Sequence, residues 1–136
     1  MNALRKLYKE LTSLHWEIGF LDNTFEGIVR GDKLKLTLVT HNFPNSWFAD
    51  PFILDVTDDT IIVLVEEVTK KISKGRISKL VIDRRNNYVI EKKVILERPG
   101  HLSFPIIYRK DDKIYVYPEN SEDGVLNIYE YNPIND

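Results

Sequence analysis

One pattern occurs twice in this chain and limits what it can fold into. The first copy runs Ala49-Asp50-Pro51-Phe52-Ile53, then Asp58-Asp59, then Ile61-Ile62-Val63-Leu64-Val65-Glu66. The second runs Ser103-Phe104-Pro105-Ile106-Ile107, then Asp111-Asp112, then Ile114-Tyr115-Val116-Tyr117-Pro118-Glu119. Each copy reads as a strand, an acidic turn, a second strand and a glutamate. Glu66 and Glu119 stand 53 positions apart, and Pro51 and Pro105 stand 54 apart. Short strands recurring at a period of about 40–50 residues are the pattern of propeller blades, in which each unit buries its face only against a neighbour.

The rest of the chain extends this reading. Leu4, Leu7, Tyr8 and Leu11 form one apolar stripe at helical spacing, which predicts an amphipathic helix over residues 2–13 within an N-terminal segment 1–14. From His15 onward strands dominate, in a β domain over 15–136. His15 to Phe20 and Leu34 to Thr40 alternate as a strand pair, joined by the turn signals Asp22-Asn23 and Gly31-Asp32. A first blade spans about 47–97, with strands Asp50–Val56, Thr60–Glu67, Arg76–Asp83 and Tyr88–Leu96. The aliphatic run in its second strand suits burial on both faces. A second blade spans about 101–132, with strands Leu102–Tyr108, Lys113–Tyr117 and Val125–Tyr131. The fold class expected is all-β: an incomplete propeller of about two blades with one helix. Two blades leave a strand edge open, so a homo-oligomer or a second chain that completes the sheet is an expected partner.

Composition narrows the function. The absence of cysteine removes disulfides, thiol nucleophiles and thiolate metal sites. A net charge of −2 with no basic stripe gives no reason to expect nucleic acid. No stretch approaches the ~18 apolar residues of a membrane span, and Lys6, Lys9 and Glu10 interrupt any signal-peptide core. A soluble, cytoplasmic protein is the default expectation. His15, His41 and His101 lack metal-ligand spacing, and neither a P-loop nor GxGxxG nor GxSxG is present, so neither metal nor cofactor is expected.

The string Trp47-Phe48-Ala49-Asp50-Pro51-Phe52-Ile53 resembles the first-blade motif of the five-bladed propeller glycosidases and transferases that process furanose sugars, family-43 glycosidases among them. A nearer resemblance is to the N-terminal propeller domain of glucosamine inositolphosphorylceramide transferases. It rests on Ala49-Asp50-Pro51-Phe52, on Glu66-Glu67 followed by Lys74-Gly75-Arg76-Ile77-Ser78, and on His101-Leu102-Ser103-Phe104-Pro105 followed by Tyr117-Pro118-Glu119-Asn120-Ser121. The resemblance implies a partial five-bladed propeller, a carbohydrate or glycoconjugate as ligand, and a glycosyl hydrolase- or glycosyltransferase-associated role. With room for about two blades, the chain is expected to lack a full catalytic set. The alternative is a non-catalytic binding or assembly module.

Strand direction puts Asp50, Glu66, Ser103-Phe104 and Glu119 at one rim of the channel. The resemblance makes Asp50 a general base or nucleophile. Glycoside cleavage needs a second carboxylate, and Glu119 is the candidate acid or sugar-hydroxyl ligand. Trp47, Glu66, Arg76 and His101 are candidate substrate contacts. Alternative readings stay open for each. Asp50 caps backbone N–H groups, Trp47 and Phe48 are core, and one of Glu66 and Glu67 is buried in an ion pair with Arg76.

Overall fold

The structure is a computed structural model, and it describes residues 16–133. The expected helix over 2–13, and His15, lie outside the described residues. The described residues form three antiparallel sheets with almost no helix. A two-stranded ribbon pairs β1 (Gly19–Leu21) with β2 (Leu36–Leu38). Between them stands α1 (Phe25–Val29), a single turn that the turn signals there did not announce. Thr24 caps it by accepting the Gly27 N–H at 3.1 Å.

The second sheet is a four-stranded meander of β3 (Ser46–Val56), β4 (Thr60–Thr69), β5 (Arg76–Asp83) and β6 (Tyr88–Leu96). The third is a meander of β7 (Ser103–Lys110), β8 (Lys113–Glu119) and β9 (Tyr129–Tyr131). β5 and β6 have the bounds expected from their alternation. β9 is shorter than the expected Val125–Tyr131 strand. A 3₁₀ turn at Ser121–Asp123 and a left-handed Gly124 precede it, and Val125, Leu126 and Ile128 stay exposed rather than entering the ladder.

The middle sheet is the core of the molecule. Val63, Leu64 and Val65 of β4 are at most 1% exposed, as the aliphatic run foretold. Burying each such side chain contributes about 1.5–3 kcal/mol, so β4 dominates the packing. Alternate residues of β4 face opposite ways. Val63 and Val65 join Phe48, Leu80, Ile82, Ile18 and Val39, on the side of the ribbon. Leu64 joins Leu54, Ile77, Leu102 and Val116, on the side of the third sheet. The second and third sheets therefore pack together, with β7 against β3 and β4, while the ribbon joins through Ile18 and Val39 and a bridge from Thr40 to Tyr88.

The two copies of the repeat share one backbone device. β3 slips register between Ala49 and Phe52, and β7 slips between Ser103 and Ile106. Asp50 and Phe104, at the matching bulges, have φ of 49° and 44°. β3 carries a second irregularity between Ile53 and Asp55 that β7 lacks. That extra bulged residue accounts for the one-residue difference between the proline spacing and the glutamate spacing. The hairpin turns also differ. Asp111 and Asp112 both have positive φ, 49° and 60°, as a type I′ turn requires. In the first copy Thr60 N–H bonds the Thr57 hydroxyl at 2.9 Å instead.

Candidate functional site

Glu66 and Glu67 are neighbours on β4 and are held on opposite faces of the sheet. Glu67 is fully buried. Its carboxylate accepts from Ser46 Oγ at 2.7 Å, Ser78 Oγ at 2.6 Å and Arg76 Nε at 3.2 Å, and from Lys92 Nζ. One side chain thus ties together β3, β4, β5 and β6. Burial pushes its carboxyl up, yet the bonds from Lys92, Ser78, Ser46 and Arg76 outweigh burial and bring it down to about 2. The second nitrogen arm of Arg76 holds Glu97 at 3.0 Å. Arg76 therefore serves a structural ion pair, and the structure does not bring it to the cleft described next.

Glu66 faces a cleft of about 610 Å³ between the second and third sheets, lined by Trp16, Trp47, Asp50, Glu66, His101 and Phe104, with Ser103 at its side. No lysine or arginine among the described residues lines it. Asp50 does not open its strand, as direction alone suggested. It sits mid-strand at the bulge, which turns its carboxyl toward Glu66. Burial, followed by the hydrogen bond and charge of Asp50, raises the Glu66 carboxyl to about 7. The carboxyl of Glu66 therefore keeps its proton and can donate it toward Asp50.

His101 completes the chain of bonds. Its Nδ1 accepts the Gly75 N–H at 2.9 Å, and its Nε2 lies 3.1 Å from Glu66 Oε1. An accepting Nδ1 places the ring proton on Nε2. The donors then run in one direction: Gly75 N–H to His101, His101 to Glu66, Glu66 to Asp50. The backbone bond from Leu102 N–H to Gly75 C=O, 2.9 Å, clasps the two sheets at the same place. A Cβ on Gly75 would come within 2.3 Å of Leu102 O and 2.5 Å of Glu66 Oε1, so only glycine permits the approach.

The sequence reading named Asp50, Glu66, Trp47 and His101, and the structure brings all four to one cleft. Glu119 is exposed and absent from the lining, although it pairs across the ladder with Ser103, which does line it. Phe48 is core, 1% exposed, stacked edge-on with His41 and Phe43. Gly75 and Trp16 were missed. The Lys74-Gly75-Arg76 string carried the signal for Gly75, quoted above only for the resemblance. No cluster of metal-ligating side chains occurs among the described residues.

Residues 35–134 match the family described as glucosamine inositolphosphorylceramide transferase 1, N-terminal. The chain belongs to this family. Every lining residue named above except Trp16 lies within the match to this N-terminal domain. The chain is 30% identical over 86 residues to glucosamine inositolphosphorylceramide transferase 1 of Arabidopsis thaliana, covering 63% of this chain and 11% of the relative. It is 27% identical over 88 residues to the protein of the same name from Oryza sativa subsp. indica, covering 64% of this chain and 12% of the relative. The matched region is thus a small part of those full-length relatives. No solved structure matches the chain.

Proposed function

We propose that this domain is a carbohydrate-binding β module of the kind attached to glycosyltransferases, and that its cleft holds a glycosyl unit through Asp50. The observation that carries the reading is the convergence of Asp50, Glu66 and His101 in an aromatic-walled cleft, with His101 Nε2 3.1 Å from Glu66 Oε1. Glycosidases set their two carboxyl groups about 5–5.5 Å apart to retain, or about 6.5–9.5 Å apart to invert, with the glycosidic bond between them. Asp50 and Glu66, placed against each other, are not such a set. The pair does suit binding, because the ionised member accepts two sugar hydroxyls while the protonated one orients it. Binding without cleavage is therefore favoured over catalysis.

The architecture we propose is a set of propeller blades. The support is the meander order of the second and third sheets, their packing against each other, and matching bulges in their leading strands β3 and β7. A glycan array probed with the wild-type chain and with Asp50→Asn tests the binding reading. Asparagine keeps the shape and tolerates the left-handed backbone, so retained folding with lost glycan signal is expected. An unchanged glycan profile would refute a site at Asp50.

A second reading is assembly through the third sheet. That sheet has three strands against four in the second, and Val125, Leu126 and Ile128 expose 62%, 67% and 61% of their surface beside it. Light scattering tests it: association that vanishes in Leu126→Asp supports an interface there, and a monodisperse wild-type monomer eliminates it.

A further inference from the structure

We propose that Phe104 is the ring-stacking platform of the cleft, a contact that determines which sugars bind, held in place by a strained backbone. This rests on the carbohydrate-binding reading of the same cleft and names the face of the ligand that it reads.

The observation is an outlier that occurs twice. Residues before proline favour extended backbone with φ near −120°, yet Asp50 precedes Pro51 and Phe104 precedes Pro105 at φ of 49° and 44°. Aspartate visits the left-handed region at modest cost. A bulky aromatic there is a true outlier. Such strain persists only where the surroundings impose it, and here the ladders on both sides of the bulge do so. Core packing does not account for the phenylalanine. Phe104 is 48% exposed, whereas the neighbouring Leu102 and Pro105 are buried.

The two bulges put their residues into the same cleft from adjacent leading strands. Asp50 brings a carboxylate and Phe104 brings an apolar face. That is the pair of surfaces a pyranose with equatorial hydroxyls presents: polar groups at its rim and a patch of C–H bonds on its ring face. Trp47 and Trp16 line the same cleft and extend the apolar wall.

The test has a stability arm and a binding arm. In an ordinary strand position glycine is less stable than alanine. At positive φ the order inverts, so Phe104→Gly should melt a few degrees above Phe104→Ala. For binding, the probe is methyl β-D-glucopyranoside, followed by saturation-transfer NMR and by tryptophan fluorescence. Saturation should concentrate on the protons of one ring face in wild type. Both small variants should lose about tenfold in affinity, while Phe104→Tyr keeps it. If alanine is the more stable small variant, the backbone is not held left-handed and the proposal falls. If the small variants bind as wild type does, Phe104 is not a platform, while the carbohydrate reading itself survives. If wild type binds the sugar at no site that Asp50→Asn affects, both fall together.

Discussion

Glu66 and Glu67 share a strand, a residue type and a peptide bond, yet their chemistry is opposite. Glu67 meets two cations and two hydroxyls and is ionised down to about pH 2. Glu66 meets another carboxyl and a neutral imidazole and stays protonated up to about pH 7. The period-2 alternation of a strand puts them on different faces, and the partners on each face decide the rest. One face carries the ionic node that holds the second sheet together. The other carries a largely buried carboxyl that meets Asp50 and His101 at the wall of the cleft. A buried ion that is paired on every side is structural. A raised carboxyl with no cation, placed in a cleft, marks a site.

The sharpest way to break this comparison is to remove the node. Glu67→Ala leaves Lys92 and Arg76 facing each other, at 16% and 17% side-chain exposure. Breaking a buried pair by removing one partner costs about 3–5 kcal/mol. Urea unfolding should therefore show the largest loss of any substitution considered, and a loss below about 1 kcal/mol would mean that the node is not what joins the strands.

Next in size is Gly75→Ala. The new methyl meets backbone at Leu102 and the carboxyl of Glu66, so the clasp must open. Forcing extra atoms into a packed site costs about 1–3 kcal/mol. The same change should break the Gly75–His101 bond, and the ¹⁵N shift of His101 Nδ1 should lose its acceptor character. Loss of stability with that shift unchanged would place the strain elsewhere.

Third is the pH profile of the wild-type chain, which should bend at both ends for opposite reasons. Unfolded Glu66 releases its proton near the ordinary value of 4.5, whereas folded Glu66 keeps it to about 7. The folded state binds more protons between these values. Stability from Glu66 is thus complete below pH 4.5 and is lost as pH rises to 7, by at most about 3 kcal/mol. Glu67 works in reverse: its contribution is present above pH 4.5 and is lost as pH falls toward 2. Urea midpoints from pH 2 to 8 should peak near pH 4–5, and a flat profile from 5 to 7.5 would remove the claim about Glu66.

The strands of the second sheet were legible because hydrophobic alternation and turn residues agree along β5 and β6. The burial of β4 was legible for the same reason. The bulges were not, although their trace was there: proline and glutamate spacings that differ by one residue record an extra residue in β3. Sequence alone allowed either glutamate to pair with Arg76, because alternation shows that two neighbours part company and not which face each takes. The hairpin register settles it by putting Glu67 opposite Arg76. The cleft was half legible. Asp50, Trp47, Glu66 and His101 were in view. Gly75 was hidden because its role is the room it leaves, and Glu119, at the exposed end of β8, stands outside the lining. The short helix α1 rests on one capping threonine, too small a signal to compete with the turn residues around it.

The smallest expected effect discriminates best between the two glutamates. Glutamine has the shape of a protonated glutamate. At position 66 its amide donates to Asp50 and its carbonyl accepts from His101 Nε2, so the donor order through the cleft is kept. Glu66→Gln should therefore change stability at pH 5 by no more than about 0.5 kcal/mol, and it should abolish the fall between pH 5 and 7. Above pH 7 the variant should be more stable than wild type. The same change at Glu67 replaces an ion with a neutral amide before two cations and two hydroxyl donors, and should be severe at every pH above 4.5. Two identical substitutions, one residue apart, would then read out the two faces of one strand. If Glu66→Gln keeps the wild-type slope, the proton donated toward Asp50 is not held by Glu66, and the donor chain from Gly75 to Asp50 is broken at its third link.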